Sequence, residues 1–422
     1  MNTTTKDNNY DVIIVGSGVC GATIAKELSR QKKKVLILER GGNAPLKETL
    51  LGMASIVNEV SVGDKLKDMR GITTGGSTAL YFAAAELPPL DTFLSLGIDL
   101  SKELEEARKE LPLAILPDEL FGNQSLRLRE SAMGLGYSWK KELMLVDQSK
   151  CTSGYSYEAK WKARSYVEDA VRDGAVLINR ATVLKVIVEK NRAIGVEYKL
   201  GGKGICQVYG EKIILAAGIL ASPMILKDSG IKNVANHGFY IDPNIVLFGF
   251  VSGLKGKEDN FVGAMDASLG DDITLGDANV SGLLYRLLML AMFKPLRLAS
   301  HSNSIGIGVK VNEAMGGELL ENGHYYKQLP TEVFQKLKKG EDVATKILKN
   351  AGAKDIIKSP INVTSTGGVL RIQEHVDANL QTEYSNLYVC DRSVLPETFR
   401  KPPTLTLVCM GKYLARHLSS SF

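Results

Sequence analysis

Apolar residues along the chain follow two rhythms. Val12 to Val15 is an unbroken apolar run, the pattern of a strand covered on both faces. After "GSGVCG", Ala22, Ile24, Ala25 and Leu28 recur at helical spacing, and "KVLILE" is a second buried strand ending in Glu39. This predicts strand, helix and strand within about thirty residues. Further strand patterns at 176–179, 182–190 and 193–199 precede "KIILAAG", another buried parallel-strand candidate, so the first sheet is discontinuous in sequence. "DPNIVLFGFV" and "NSIGIGVKV" are the clearest strands of a second sheet, and "LPTEVFQKLKKGEDVATKILKNAGAKDI" predicts an amphipathic surface helix. In "LLYRLLMLAMFKPLRL", Leu284, Leu287, Leu288 and Ala291 share one helical face, and other apolar residues extend nearly all round it. A core helix is the expectation, with a lid over a hydrophobic substrate or a membrane-surface contact through 283–298 as the alternative.

The glycines between the first strand and helix have GxGxxG spacing. Gly16 allows a tight turn, Gly18 lets backbone approach a pyrophosphate, and Gly21 lets helix and strand pack closely. The helix N-terminus then offers free N–H groups to phosphate. Glu39, at the end of the second strand, is placed to accept both hydroxyls of an adenosine ribose, and it would repel the 2'-phosphate of NADP. These features point to dinucleotide binding and leave FAD and NAD open. "MRGITTGGSTAL" adds a glycine pair followed by small hydroxyl residues, suited to backbone laid along a phosphate or a flavin edge, and Gly218 ends "KIILAAG" with the same freedom.

A length of 422 residues sets an expectation of two domains. Fifty-two basic against 47 acidic residues, well interspersed, argue against nucleic acid as a partner. The five cysteines form no CxxC pair, which argues against a zinc site or a disulfide framework and for a reducing cytoplasm. "MNTTTKDNNY" has no apolar h-region, and the most apolar segment is broken by Arg286, Lys294 and Pro295. The expectation is a cytoplasmic protein, with 283–298 as its one membrane-surface candidate.

Taken together, "VGSGVCGATIAKEL", "GGST", "RATVLKVI", "AIGVEY", "LAAGILASPMIL" with "SGI", "GVKVNEAMGG" and "NLYVCDRSVLP" resemble the glucose-methanol-choline (GMC) oxidoreductases, FAD enzymes, in the family's order and over essentially the whole chain. The resemblance implies an α/β protein with a discontinuous Rossmann-like FAD-binding domain (1–94, 150–239 and 366–422). It also implies an α+β substrate domain on an antiparallel sheet (95–149 and 240–365). By the same resemblance Gly16, Gly18 and Gly21 hold the FAD pyrophosphate, Glu39 the ribose with Arg40 beside it, and Val183 the adenine through its backbone. Gly75, Gly76 and Ser77 lie along the flavin and Asp391 at the pyrophosphate–ribityl end, with Ala217 and Gly218 also among the cofactor-binding residues. Pro403, Thr404 and Leu405, with Thr406, open the last helix toward flavin N1/O2, where its dipole stabilises negative charge. FAD is expected to be non-covalent, because no histidine stands at the usual attachment point.

The family's two polar tools are missing. Ser365 stands where the resemblance puts the catalytic histidine, and Pro402 where it puts the second histidine or asparagine. Ser365 is a poor unaided base. Three readings stay open. In one, an alcohol or carbonyl substrate exchanges hydride with flavin N5, another group (His375, His301, Tyr240 or Tyr81) takes the proton, and the electrons go to a non-oxygen acceptor. In another, the enzyme is a flavin-dependent reductase or desaturase of an activated C=C bond that needs no strong base. In the third it is a catalytically weak flavoprotein subunit. Arg371 and Arg392 are further candidates, to bind an anionic head or stabilise reduced flavin.

Overall fold

A computed structural model describes residues 9–151, 154–201, 204–258, 260–397, 399 and 402–422, with the side chains of Asn9 and Ser365 outside that description. Strand β1 (Asn9–Val15) lies between strand β2 (Val35–Glu39) and the strand Ile205–Leu215, parallel to both. Val176–Asn179 extends this parallel core beyond β2, and Leu387–Val389 extends it beyond Ile213–Leu215. The other half of Ile205–Leu215 pairs with an antiparallel meander of Arg192–Leu200 and Ala181–Glu189. Val12, Ile13, Ile14 and the whole of β2 are buried, as their unbroken apolar runs predict.

Helix α1 (Val19–Arg30) packs on this sheet and under the last helix, Thr404–Ser419. The crossing is close: a Cβ on Gly411 would sit 2.9 Å from Cβ of Thr23. Behind it, Lys412 pairs with Glu27 at 2.7 Å and Glu110 at 2.8 Å, and Lys26 also reaches Glu110 at 3.0 Å.

The second sheet is antiparallel. Its spatial order is Asp355–Lys358, Tyr240–Phe250, Ser304–Val311, Ile273–Asp277, Met265–Gly270 and Lys140–Lys141. Asn362–Gly367 pairs with the Tyr240 end of the long strand, on the same edge as Asp355–Lys358. The helix Thr331–Asn350 packs on this sheet through Val333, Leu337, Ala344, Ile347 and Leu348. A hairpin of strands β3 (Val57–Gly63) and β4 (Leu66–Gly71) leads from the first sheet toward the second, and β4 packs on Asn362–Gly367.

The helix Gly282–Ala291 corrects the core-helix expectation. Only Gly282, Tyr285 and Met289 are buried, while Leu290, Phe293 and Leu296 are 53%, 89% and 94% exposed. The chain leaves the helix through Phe293 at φ 56°, a left-handed conformation that turns the next residues outward. Among the described residues no helix is long and apolar enough to cross a membrane.

Candidate functional site

The carboxyl ends of β2, β1 and Ile205–Leu215 gather the predicted glycines and acids. Gly16, at φ 98°, brings the turn so close to the neighbouring strand that a Cβ would lie 2.4 Å from the Ala216 carbonyl oxygen. A Cβ on Gly21 would lie 2.1 Å from the Gly16 oxygen, so α1 rests directly on the turn. Gly18 behaves oppositely: nothing lies within 4 Å of where its Cβ would be. It caps α1 with no side-chain hydrogen bond, leaving the first-turn N–H groups pointing into that space.

Opposite Gly18 stands the GGST loop. A Cβ on Gly76 would approach the Gly18 Cα to 3.1 Å, and Gly76 and Ser77 are partly or fully exposed between buried neighbours. Ser17 ties the two loops: its hydroxyl donates to Glu39 Oε2 at 2.6 Å and accepts from the Gly75 amide at 3.1 Å. Glu39 is buried and also accepts from the Ser17 and Gly41 amides, at 3.0 and 2.6 Å. A ribose hydroxyl is a donor of the same kind as the Ser17 hydroxyl. Arg40, next along, is exposed. Val183 is buried on the terminal strand of the sheet, so among the described residues no strand neighbours its outer backbone edge.

At the far side of the crevice Asp391 accepts from the Gly218 amide (2.9 Å), the Ser222 hydroxyl (2.6 Å) and Ser393 through both amide and hydroxyl. Gly218 itself faces open space, and the Ala217 amide donates to Ser222. The last helix begins after Pro403 with no side-chain cap. Leu405 and Thr406 are fully buried and Thr404 nearly so, and the Thr406 hydroxyl is a buried polar atom with no hydrogen-bond partner among the described residues. An uncapped α1, an uncapped last helix with an orphaned hydroxyl, and the open fronts of Gly18 and Gly218 together fit a long phosphate-bearing flavin.

Several candidate catalytic residues are engaged elsewhere in the fold. His375 folds back on its own turn: Nδ1 accepts from the Arg371 amide at 3.0 Å, and Nε2 meets the Asn233 carbonyl at 3.2 Å. The tautomer these bonds require is Nε2-protonated and has no free lone pair, so His375 tethers the chain. His301 meets the Val280 carbonyl at 2.9 Å and packs on Tyr285, beside the Phe250 end of the long strand. That end lies ten residues from Tyr240, roughly 30 Å at the usual rise. Arg371 forms a surface ion pair with Glu397 at 3.3 Å. Tyr81 donates its hydroxyl to the Trp161 carbonyl at 2.5 Å, and burial pushes its pKa upward. Ser365 lies in the strand Asn362–Gly367, with its side chain outside the described residues. The fully buried Tyr240 ring covers that strand's end, where a Cβ on Gly367 would lie 2.0 Å from it. Pro402 precedes the last helix without a polar side chain.

Arg392 follows Asp391 and faces a group that sequence reading missed, Asp68 of β4. Asp68 is 7% exposed. Burial raises its pKa, while Arg392, Arg70 and the nearby Thr366 hydroxyl counter the rise. Burial and neighbouring Arg40 lower that of Arg70. Lys160, beneath Tyr81, donates to the Tyr81 carbonyl at 2.7 Å, and burial lowers its pKa to about 8.

The parallel sheet, its glycine-lined crevice and the antiparallel sheet beside it define a two-sheet α/β protein of the dinucleotide-binding class. A family profile described as GMC oxidoreductase matches residues 99–250, and one described as an NAD(P)-binding Rossmann-like domain matches residues 14–45. An uncharacterised protein of Methanocaldococcus jannaschii is 24% identical over 417 residues, covering 97% of this chain and 100% of that protein. A long-chain-alcohol oxidase of Arabidopsis thaliana is 22% identical over 511 residues, covering 97% of this chain and 68% of the oxidase. An oxygen-dependent choline dehydrogenase of Staphylococcus haemolyticus is 24% identical, over 54% of this chain and 48% of its own. Among solved structures, pyridoxine 4-oxidase from Mesorbium loti shares the fold at a TM-score of 0.70 and 15% identity, covering 97% of this chain and 99% of that one. Formate oxidase from Aspergillus oryzae, solved in a study of FAD modification, shares it at 0.68 and 14%, covering 98% of each chain. Residues 99–250 of this chain match the GMC oxidoreductase family, and an alcohol oxidase relative aligns along nearly all of its length. The chain is an oxidoreductase, and its cofactor is FAD.

Proposed function

We propose that the enzyme moves a hydride between an alcohol, or its carbonyl counterpart, and flavin N5, acting on a small or hydrophobic organic substrate and passing electrons to an acceptor other than oxygen. The observation that carries the reading is the crevice between two uncapped helix ends, open at Gly18 and Gly218 and bordered by the buried Thr406 hydroxyl. In it Gly16, Gly18 and Gly21 would hold the pyrophosphate, and Glu39 would exchange the Ser17 hydroxyl for those of the ribose, with Arg40 alongside. Val183 would meet the adenine, and Ala217, Gly218 and Asp391 the ribityl end. Gly75, Gly76 and Ser77 would line the flavin, and Pro403, Thr404 and Leu405 would bring the helix dipole to N1/O2. FAD, when bound, accepts a hydride and its electron pair. Residues 1–94, 150–239 and 366–422 would form the cofactor domain, and 95–149 and 240–365 would roof the substrate. The named relatives that act on long-chain alcohols, choline or pyridoxine favour a CH–OH donor.

The exposed Leu290, Phe293 and Leu296 with Lys294 support delivery of an apolar substrate from a membrane surface. Anaerobic mixing of purified enzyme with primary and secondary alcohols tests the reaction: bleaching of the visible flavin band by at least one supports it. Bleaching by dithionite alone, with reoxidation by conjugated enones, transfers the assignment to C=C reduction. Slow reoxidation in air but fast reoxidation by quinones checks the acceptor.

A further inference from the structure

The alcohol reaction needs a group to take the hydroxyl proton, and the described histidines do not supply one at the crevice. His375 and His301 are placed above, His237 pairs with Glu374, His417 packs on Tyr388, and His324 is exposed on a turn after Asn322. Seven carboxylates among the described residues are buried. Six have other work. Glu39 and Asp391 are bound as described, Glu103 pairs with Arg416, and Glu313 with Lys327. Asp277 accepts from Ser125 and the Met265 amide, and Asp242 faces Lys310 at 3.7 Å. The seventh is Asp68.

Asp68 lies where three parts of the cradle meet. Its strand ends at Gly71, where a Cβ would lie 2.9 Å from the Gly76 oxygen and whose amide donates to Ser77, so β4 runs directly into the GGST loop. Across from it is Thr366, next to Ser365, where the resemblance puts the family's histidine. Arg392, directly after Asp391, completes the group. Charged or titratable neighbours are Arg70 on its own strand, Arg392, and, around Arg70, Arg40 and Tyr325, with Asp391 acting on Tyr325.

We propose that Asp68 is the proton acceptor of this enzyme, standing in for the histidine that Ser365 replaces, with Arg392 and Arg70 holding its charge. The inference rests on the alcohol reading above. In the step, the substrate O–H bond breaks and its proton goes to the Asp68 carboxylate. The carbinol C–H bond breaks and its hydrogen leaves with the electron pair to bound FAD, and the C=O bond forms. Neutralising Asp68 would remove one negative charge from this cluster as the bound cofactor gains one, which would favour the product side.

The test compares wild type, Asp68→Asn and Asp68→Glu as holoenzymes, using whichever of a C4–C12 alcohol series reduces wild type fastest. Asp68→Asn is expected to retain FAD and dithionite bleaching but to lose about 100-fold or more in anaerobic reduction rate, together with the acidic limb of its pH profile. Asp68→Glu should keep that limb. A readout without turnover is the absorbance titration of the flavin N3–H, which should move to lower pH in Asp68→Asn as a negative charge is removed. Reduction of Asp68→Asn within threefold of wild type with the same pH profile would overturn the proposal. Should no alcohol reduce wild type, the alcohol reading fails, and an unshifted N3–H titration would then overturn the placement of Asp68 as well.

Discussion

Gly18 and Gly21 lie three residues apart in one motif, yet alanine at the two positions should fail for opposite reasons. Gly18 has φ −66° and ψ −170°, a conformation open to any residue, with nothing within 4 Å of its Cβ direction. Losing a glycine cap costs a few tenths to about 1 kcal/mol, and the entropy gained by stiffening the unfolded chain offsets about 0.4–1 kcal/mol. The apoprotein's stability should therefore change by less than about 0.5 kcal/mol. The added methyl instead fills the space where a phosphate oxygen meets the α1 amides. Losing one charged hydrogen bond, about 1.5–3 kcal/mol, weakens FAD binding roughly 10- to 150-fold. At Gly21 the methyl would stand 2.1 Å from a backbone oxygen and 3.2 Å from Cγ2 of Ile14, so α1 must move by on the order of 1 Å, at about 1–3 kcal/mol or more. The assay is flavin-to-protein ratio after dialysis against graded bromide, together with thermal melts of stripped protein. Gly18→Ala should lose flavin and keep its melt, and Gly21→Ala should lose both. A Gly18→Ala protein that retains FAD as wild type does would refute the argument.

The remaining predictions address the surrounding framework. Burial raises the Asp277 carboxyl to about 7 from an ordinary 3.8, so the folded state binds the extra proton in between. Its contribution therefore favours folding at acid pH and is lost as pH rises from about 4 to 7, by up to roughly 4 kcal/mol. Urea unfolding at pH 5 and pH 8 should show Asp277→Asn with a flatter pH dependence than wild type. Lys412→Met leaves Glu27 and Glu110 facing each other beneath α1, and since both retain some solvent a loss of about 2–3 kcal/mol is expected in the same assay. His375→Gln should cost about 1 kcal/mol of stability from the lost tether and leave the pH profile of flavin reduction unchanged. Phe293→Ser with Leu296→Ser should abolish co-sedimentation with anionic vesicles without moving the melting temperature, because both side chains lie in solvent.

The cofactor half of the molecule was legible because its signals are local. β1, the glycine turn, α1 and β2 follow from one apolar run, one spacing and one helical period, and the GGST and Asp391 segments are short motifs. What the sequence concealed is non-local. His375 is a base candidate by type alone, and its reach back to the Arg371 amide is a property of one turn. The all-round apolar Gly282–Ala291 segment gives no sign of which face the sheet will take, since the left-handed exit at Phe293 decides it. Asp68, in the alternating "KLKDMRG", reads as one more polar hairpin residue until β4 packs against Asn362–Gly367. An acid just upstream of the glycine pair was the only available signal.

The most direct test of the account is the flavin released when purified protein is precipitated with acid. It predicts close to one equivalent of intact FAD per chain in the supernatant, lost in Gly18→Ala. A flavin-free protein, FMN in place of FAD, or flavin left in the pellet as a covalent adduct would contradict it.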